Sequence, residues 1–140
     1  MYGYKAYKTT QLKTADSKEM ILHLYEAALS HLRDAVSLIN SPDTQLGSFK
    51  AGKTLKIVNL LRGTLDFGRG GEIAVNLASL YDYLRDIINQ GIISKDASKF
   101  EEAISLMSTL FEGWKPVLKR QDTTEEMYPD HVATEDRPAI

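Results

Sequence analysis

The sequence contains no cysteine and no long apolar run. Without cysteine, neither a disulfide framework nor a thiolate metal site can form. No stretch approaches the roughly 20 apolar residues of a membrane-spanning helix. The first twenty residues also lack the apolar segment that a signal peptide needs. We therefore expect a cytoplasmic protein with no membrane insertion.

Positive charge is too sparse and too mixed for a nucleic-acid-binding surface. Residues 1–120 carry sixteen bases and thirteen acids, whereas residues 121–140 carry six acids and one base. Nucleic-acid-binding domains concentrate their bases on one face or stripe. We expect no nucleic-acid partner. Residues 120–140 combine acids and two prolines with few large apolar side chains, which predicts a flexible acidic tail.

Apolar residues recur every three or four positions in four segments, which is typical of amphipathic helices. Asp16 and Glu19 have the spacing of a capping box, and the first predicted helix runs from there to about Asn40. The second opens at Asp43 or Thr44 and continues to about residue 67. The glycine-rich residues 68–71 predict a break after it.

The third predicted helix begins at Glu72 and stops near Gly91, and the fourth opens at Asp96 or Ser98. Pro116 disfavours the helical conformation of the residue before it, and no periodicity continues beyond residue 120. Four helices with short connections predict an all-α, antiparallel four-helix bundle over residues 16–119. Residues 1–15 form an extended N-terminal segment outside this pattern.

The first and third helices have wider apolar stripes than a bundle core requires. Their stripes span roughly 160° and 180°, against the 100° that seats a helix on a core. Either both helices touch two neighbours, or an exposed groove remains that takes an amphipathic partner helix. Asn76 projects into the apolar arc of the third helix, where its amide should be hydrogen-bonded.

The N-terminal segment has apolar-bodied residues but no helical pattern. Tyr4, Tyr7 and Leu12 can dock on the bundle as a removable cover, because a tyrosine buries its ring while its hydroxyl stays wet. An ordinary frayed terminus is the alternative interpretation.

Residues 47–54, Gly-Ser-Phe-Lys-Ala-Gly-Lys-Thr, match the phosphate-loop pattern of nucleotide-binding proteins. That loop needs a buried strand before the first glycine and a helix after the threonine. The residues before Gly47 read as a turn, and no strand pattern is found elsewhere. We expect a chance match, and keep a small nucleotide-binding protein as an alternative function. A purely structural bundle is a second alternative.

No arrangement of residues predicts an active site or a metal centre. Di-iron bundles need inward glutamates and Glu-x-x-His pairs on facing helices, and the sequence has none. His23 lies near the polar face of the first helix, His31 at the edge of its apolar arc, and His131 in the tail. We therefore predict that the protein is not an enzyme and holds no metal.

Two stretches resemble a known family. Residues 14–28, TADSKEMILHLYEAA, are similar to the first-helix signature of FliS flagellar secretion chaperones. In the third helix, Gly70-Gly71-Glu72-Ile73-Ala74, Asn76-Leu77 and Leu80-Tyr81-Asp82-Tyr83 resemble the family's most recognisable stretch. The N-terminal tyrosines and Trp114 also have counterparts, so the resemblance covers roughly residues 4–118. At the first cap the family often has Ser-Pro-Glu-Glu where this chain has Asp-Ser-Lys-Glu.

The resemblance implies a cytosolic chaperone that binds the C-terminal region of flagellin, prevents its premature polymerisation and assists its delivery to the flagellar secretion apparatus. It implies no cofactor. An export-gate component or a co-chaperone is a further candidate partner. The residues expected to form or support the flagellin-binding groove are Tyr4, Tyr7, Leu12, Leu24, Tyr25, Ala28, Ile73, Asn76, Leu77, Leu80, Tyr81 and Leu84.

Overall fold

The computed structural model describes the backbone of residues 17–127 and the side chains of residues 17–116. It contains four helices: α1 (Ser17–Leu38), α2 (Thr44–Gly63), α3 (Phe67–Ser94) and α4 (Ala97–Met127). Helix α1 packs against α2 and α4, and α3 packs against the same two helices. The predicted all-α four-helix bundle is confirmed. Among the helices described here, none is long and apolar enough to cross a membrane.

The core is built from the inward stripes of all four helices. Its fully buried large side chains are Tyr25, Leu32, Ile39, Val58, Leu61, Tyr81, Leu84, Ile87, Ile88, Phe100 and Met107. Each stripe repeats at three or four residues, which places its members on one side of the helix. Burial of this apolar surface is the main force holding the bundle together.

Two tyrosine hydroxyls meet inside this apolar core. Tyr25 on α1 and Tyr81 on α3 place their Oη atoms 2.7 Å apart, and either hydroxyl can donate. The ring of Tyr25 also stacks on Phe111 of α4, with 5.5 Å between ring centroids. Burial, aided by the neighbouring Tyr81, raises the pKa of Tyr25 far above its ordinary range. Burial likewise raises the pKa of Tyr81 to about 12.

Two glycines allow helices to approach closely at one end of the bundle. A Cβ atom on Gly47 would lie 2.9 Å from the backbone nitrogen of Ile39, at the end of α1. A Cβ atom on Gly91 would lie 2.6 Å from the ring of Phe100. Gly91 therefore serves helix packing, and α3 does not stop at this residue as predicted. It continues to Ser94, and Lys95 adopts the left-handed conformation that ends it.

The break predicted at residues 68–71 is found at its last residue, Gly71. Helix α2 ends at Gly63 and α3 already begins at Phe67, so residues 67–70 form a helical turn that precedes the break. The side chain of Asp66 caps that turn by accepting a hydrogen bond from the Arg69 amide, 3.0 Å away. Only Gly71 departs from helical geometry, with φ 50° and ψ −121°, and it kinks α3.

The expected disruption of the last helix at Pro116 is also wrong at the level of the backbone. Helix α4 includes Pro116 and ends at Met127. Proline deprives the carbonyl of Glu112 of its amide donor, but both residues are exposed, so water can bond that carbonyl. The acidic tail predicted from residue 120 therefore begins within α4, and residues 128–140 lie outside the described part of the chain.

Candidate partner-binding groove

A hydrogen bond between α3 and α4 shows which residues of these two helices lie level with each other. Tyr83 donates its hydroxyl to the carboxylate of Glu102. Because the two helices are antiparallel, a residue one turn earlier on α3 lies opposite a residue one turn later on α4. Leu80 therefore lies level with Leu106, and Asn76 lies level with Leu110. One further turn brings Ile73 level with Trp114.

We name this surface the α3–α4 groove, and its six residues are Ile73, Asn76, Leu80, Leu106, Leu110 and Trp114. Ile73 is 60% exposed, whereas Leu80 and the three α4 residues are half-buried against the core. Five of the six side chains are apolar or aromatic, and the sixth, Asn76, is an exposed amide. A strip of this kind suits the apolar face of an amphipathic helix.

The opposite edge of α3 is closed by charged side chains. Arg62 on α2 donates to both carboxylate oxygens of Asp82, at 2.8 and 3.2 Å. Arg85 lies 3.0 Å from Asp82 and also donates to Asn59 on α2. The hydrogen bond from Arg62 lowers the pKa of Asp82, so its carboxylate stays ionised. The edge of α3 next to Asp82 is thus charged, whereas its α4 side carries the half-buried Leu80.

The phosphate-loop match at residues 47–54 lies wholly within α2. Its backbone amides are helical, so they cannot form the cradle that a phosphate requires. Thr54 is buried and donates to the carbonyls of Ala28 and Lys50, each at 3.4 Å. Gly47 is needed for packing against α1, as described above. These contacts account for the first glycine and the threonine of the motif without a nucleotide.

Comparison with known proteins decides the family. The profile described as "Flagellar protein FliS" matches residues 1–121. The flagellar secretion chaperone FliS of Salmonella typhimurium is 32% identical over 120 residues, covering 82% of this chain and 89% of the relative. The chaperone FliSB of Pseudomonas aeruginosa is 30% identical over 121 residues, covering 81% and 96%. This chain belongs to the FliS family.

FliS proteins are flagellar secretion chaperones, which is not a class of enzymes. FliS of Campylobacter jejuni is 27% identical over 115 residues, so the similarity extends to a distant relative as well. The FliS profile ends at residue 121, inside α4. The acidic segment that follows is therefore outside the part of the chain that the family profile matches.

Several residues predicted for the FliS partner groove lie in the core. The fully buried members are Tyr25, Ala28, Tyr81 and Leu84, and Leu77 is 6% exposed. None of them can touch a partner in this conformation, so their contribution would be to support the surface residues. Asn76 is exposed, whereas the prediction placed it in the apolar arc of the third helix with its amide hydrogen-bonded. On a helical wheel Asn76 lies about 60° from the centre of the apolar stripe of α3. The neighbouring α4 does not cover that side of α3.

The structure separates Leu24 from the rest of the predicted groove. Leu24 is seven residues before His31 and hence on the same side of α1. His31 lies close to Lys50 and Lys53 of α2, which help to lower its pKa after the larger effect of burial. Leu24 therefore faces α2, whereas Ile73 and Leu80 face α4. Tyr4, Tyr7 and Leu12 lie outside the described residues.

Sequence reasoning missed Leu106, Leu110 and Trp114 as a wall of the groove. These side chains follow one another at four-residue spacing, along one edge of α4. The edge of an apolar stripe is a usable signal, because residues there are covered by only one neighbouring helix.

Proposed function

We propose that the chain binds the C-terminal region of flagellin in the cytosol, prevents its premature polymerisation and assists its delivery to the flagellar secretion apparatus. Membership of the FliS family supports this activity. The half-covered α3–α4 groove is the structural observation that carries it, because an unfolded amphipathic segment needs a temporary apolar surface. Leu24 and the buried tyrosine pair would stabilise the helices around it.

The groove has only six residues, so a flagellin segment would contact more of the bundle than this strip alone. Folding of a disordered segment on binding costs roughly 2–5 kcal/mol, which only an extensive contact can offset. We expect the groove to hold one amphipathic helix of flagellin and the rest of the segment to extend around the bundle.

The N-terminal residues 1–15 are proposed as a displaceable cover of the binding surface. The segment carries Tyr4, Tyr7 and Leu12, and it joins the bundle at the start of α1. Met20 in the first turn of α1 is 42% exposed, and apolar surface is thus present where the segment enters. Deleting residues 1–13 should increase the affinity for flagellin, and an unchanged or weaker affinity would refute the role as a cover.

The main test compares two substitutions on one helix. Ile73 and Val75 are apolar, more than half exposed and two residues apart, but only Ile73 lies in the groove. Calorimetric titration with a peptide from the C-terminal region of the same organism's flagellin would measure the affinity of Ile73→Glu and Val75→Glu. We expect Ile73→Glu to weaken binding roughly 30-fold, the equivalent of ~2 kcal/mol, and Val75→Glu to change it little.

Two controls make the result interpretable. Circular dichroism should show unchanged helicity and melting for both variants, because both side chains are exposed. Magnesium-ATP titrated in parallel should give no heat of binding. Equal losses for the two variants would refute the groove, failure of the unsubstituted protein to bind flagellin would refute the function, and saturable ATP binding would favour the nucleotide alternative.

A further inference from the structure

The outward side of α2 carries a second row of exposed residues. Leu46, Phe49 and Leu60 are 46%, 58% and 57% exposed. Together with Lys53 and Lys56 they are spaced three, four, three and four residues apart along the chain. That is the spacing by which one helix of a coiled coil faces its partner. We name these five residues the α2 seam.

Helix α2 has four basic residues and no acidic one. Two of the bases are engaged by other helices: Lys50 lies 3.5 Å from Asp34 of α1, and Arg62 pairs with Asp82 of α3. Lys53 stands over the ring of Phe49, with 5.2 Å between Nζ and the ring centroid. Within residues 17–116, neither Lys53 nor Lys56 has an acidic partner. The middle of the α2 seam is therefore positively charged and the two ends are apolar.

We propose that the α2 seam docks an amphipathic helix of a partner protein, with apolar residues at both ends of its contact stripe and acidic residues at the two central positions. The apolar ends would bury against Leu46, Phe49 and Leu60. The acids would meet Lys53 and Lys56, whose charges fix the register of the partner. The surface is separate from the α3–α4 groove, since it lies on a different helix and faces away from α3.

Charge argues against a second copy of this chain as the occupant. If two α2 seams paired with their centres aligned, lysines would face lysines in either orientation, and like charges in a contact stripe oppose association. The partner helix must therefore have a different sequence, with acids where α2 has lysines. This inference does not depend on whether the protein binds flagellin.

The proposal can be tested with two designed helical peptides and the full chain. One peptide has leucine at the outer contact positions and glutamate at the two central ones, and its matched counterpart has lysine there. Two-dimensional NMR of isotope-labelled protein would locate each peptide. We expect the glutamate peptide to shift amides of residues 46–60, to bind at least about tenfold tighter than the lysine peptide, and to weaken as salt is added.

Charge reversal provides the control for the protein side. Lys53→Glu/Lys56→Glu should reverse the preference, so that the lysine peptide binds tighter. Lys99→Glu/Lys115→Glu makes the same change in net charge on α4 and should leave the preference for glutamate unchanged. Circular dichroism should confirm that both variants keep their helicity, because Lys53 and Lys56 are exposed and Lys99 and Lys115 are partly exposed.

Three outcomes would overturn the proposal. Equal affinity for the two peptides, or shifts confined to another helix, would show that the α2 seam does not select an acidic helix. Shifts of residues 46–60 that depend on protein concentration alone would assign the seam to a second copy. If removing residues 128–140 moved the same amides, the chain's own acidic segment would be the occupant.

Discussion

The buried hydroxyl pair of Tyr25 and Tyr81 makes a strong quantitative prediction about stability. Replacing one tyrosine by phenylalanine keeps the ring, so the stacking of residue 25 on Phe111 is preserved. The hydroxyl that remains would lose its partner inside the apolar core. An unsatisfied buried polar group costs about 1–3 kcal/mol. We therefore expect Tyr25→Phe and Tyr81→Phe each to lower the free energy of unfolding by about that amount.

The double variant distinguishes the cost of an unpaired hydroxyl from an ordinary loss of packing contacts. With both hydroxyls removed, no polar group is left unpaired, and replacing both partners by apolar groups can be nearly neutral. The double variant should thus be no less stable than either single variant. The magnitude of the coupling free energy in this cycle should therefore be at least the cost of one unpaired hydroxyl, about 1–3 kcal/mol.

Urea unfolding followed by circular dichroism would measure the four free energies of unfolding. The slope of the free energy against urea must be the same for all four proteins, so that differences reflect stability and not a change in exposed surface. Additive effects of the two substitutions would refute the reasoning. So would single variants as stable as the unsubstituted protein, since that would show that each hydroxyl has another partner.

Three other predictions follow from the same structure. The free energy of unfolding should be insensitive to Tyr25 and Tyr81 below about pH 10, their ordinary pKa. Above it the free energy of unfolding should fall, up to about pH 12 for Tyr81 and beyond that for Tyr25. The unfolded chain loses these protons first, so the decline should be smaller in the double phenylalanine variant, as pH-dependent urea unfolding would show. Gly47→Ala should lower stability by about 1–3 kcal/mol because its Cβ would meet the backbone of α1, whereas Gly52→Ala, with open space around it, should raise stability by up to ~1 kcal/mol. Thermal melting of both variants would measure this, and a stabilising Gly47→Ala would contradict the close approach. Gly71→Ala should cost about 1–3 kcal/mol because of its positive φ, and a neutral effect in urea unfolding would show that α3 can straighten there.

Helix positions were predictable because the signal is local. The spacing of apolar residues from Ile21 to Ile39 requires only that one side of a helix be buried, and α1 forms there. The capping role expected for Asp96 is similarly short-range, since its side chain accepts from the Ser98 amide two residues away at 3.0 Å. The positions at which helices are interrupted were harder to predict. Whether Gly68 and Gly70 interrupt a helix depends on the cap that Asp66 provides.

The surface available to a partner was not predictable from the apolar stripes of the individual helices. The wheel shows that Tyr81 and Leu80 are both on the apolar side of α3, one residue apart. Only the packing of α4 decides that Tyr81 is fully buried while Leu80 remains half-buried at the edge. The same packing leaves Ile73 60% exposed.

The sequence by itself determined the helical bundle and the FliS family, since apolar periodicity and contiguous motifs are properties of neighbouring residues. Tertiary structure alone decided that Tyr25 meets Tyr81, fifty-six positions away. It also decided that Gly47 belongs to a helix contact and not to a phosphate loop. The reason is the same in both cases: these roles depend on which atoms of another helix come within contact distance, and the spacing along one helix does not contain that information.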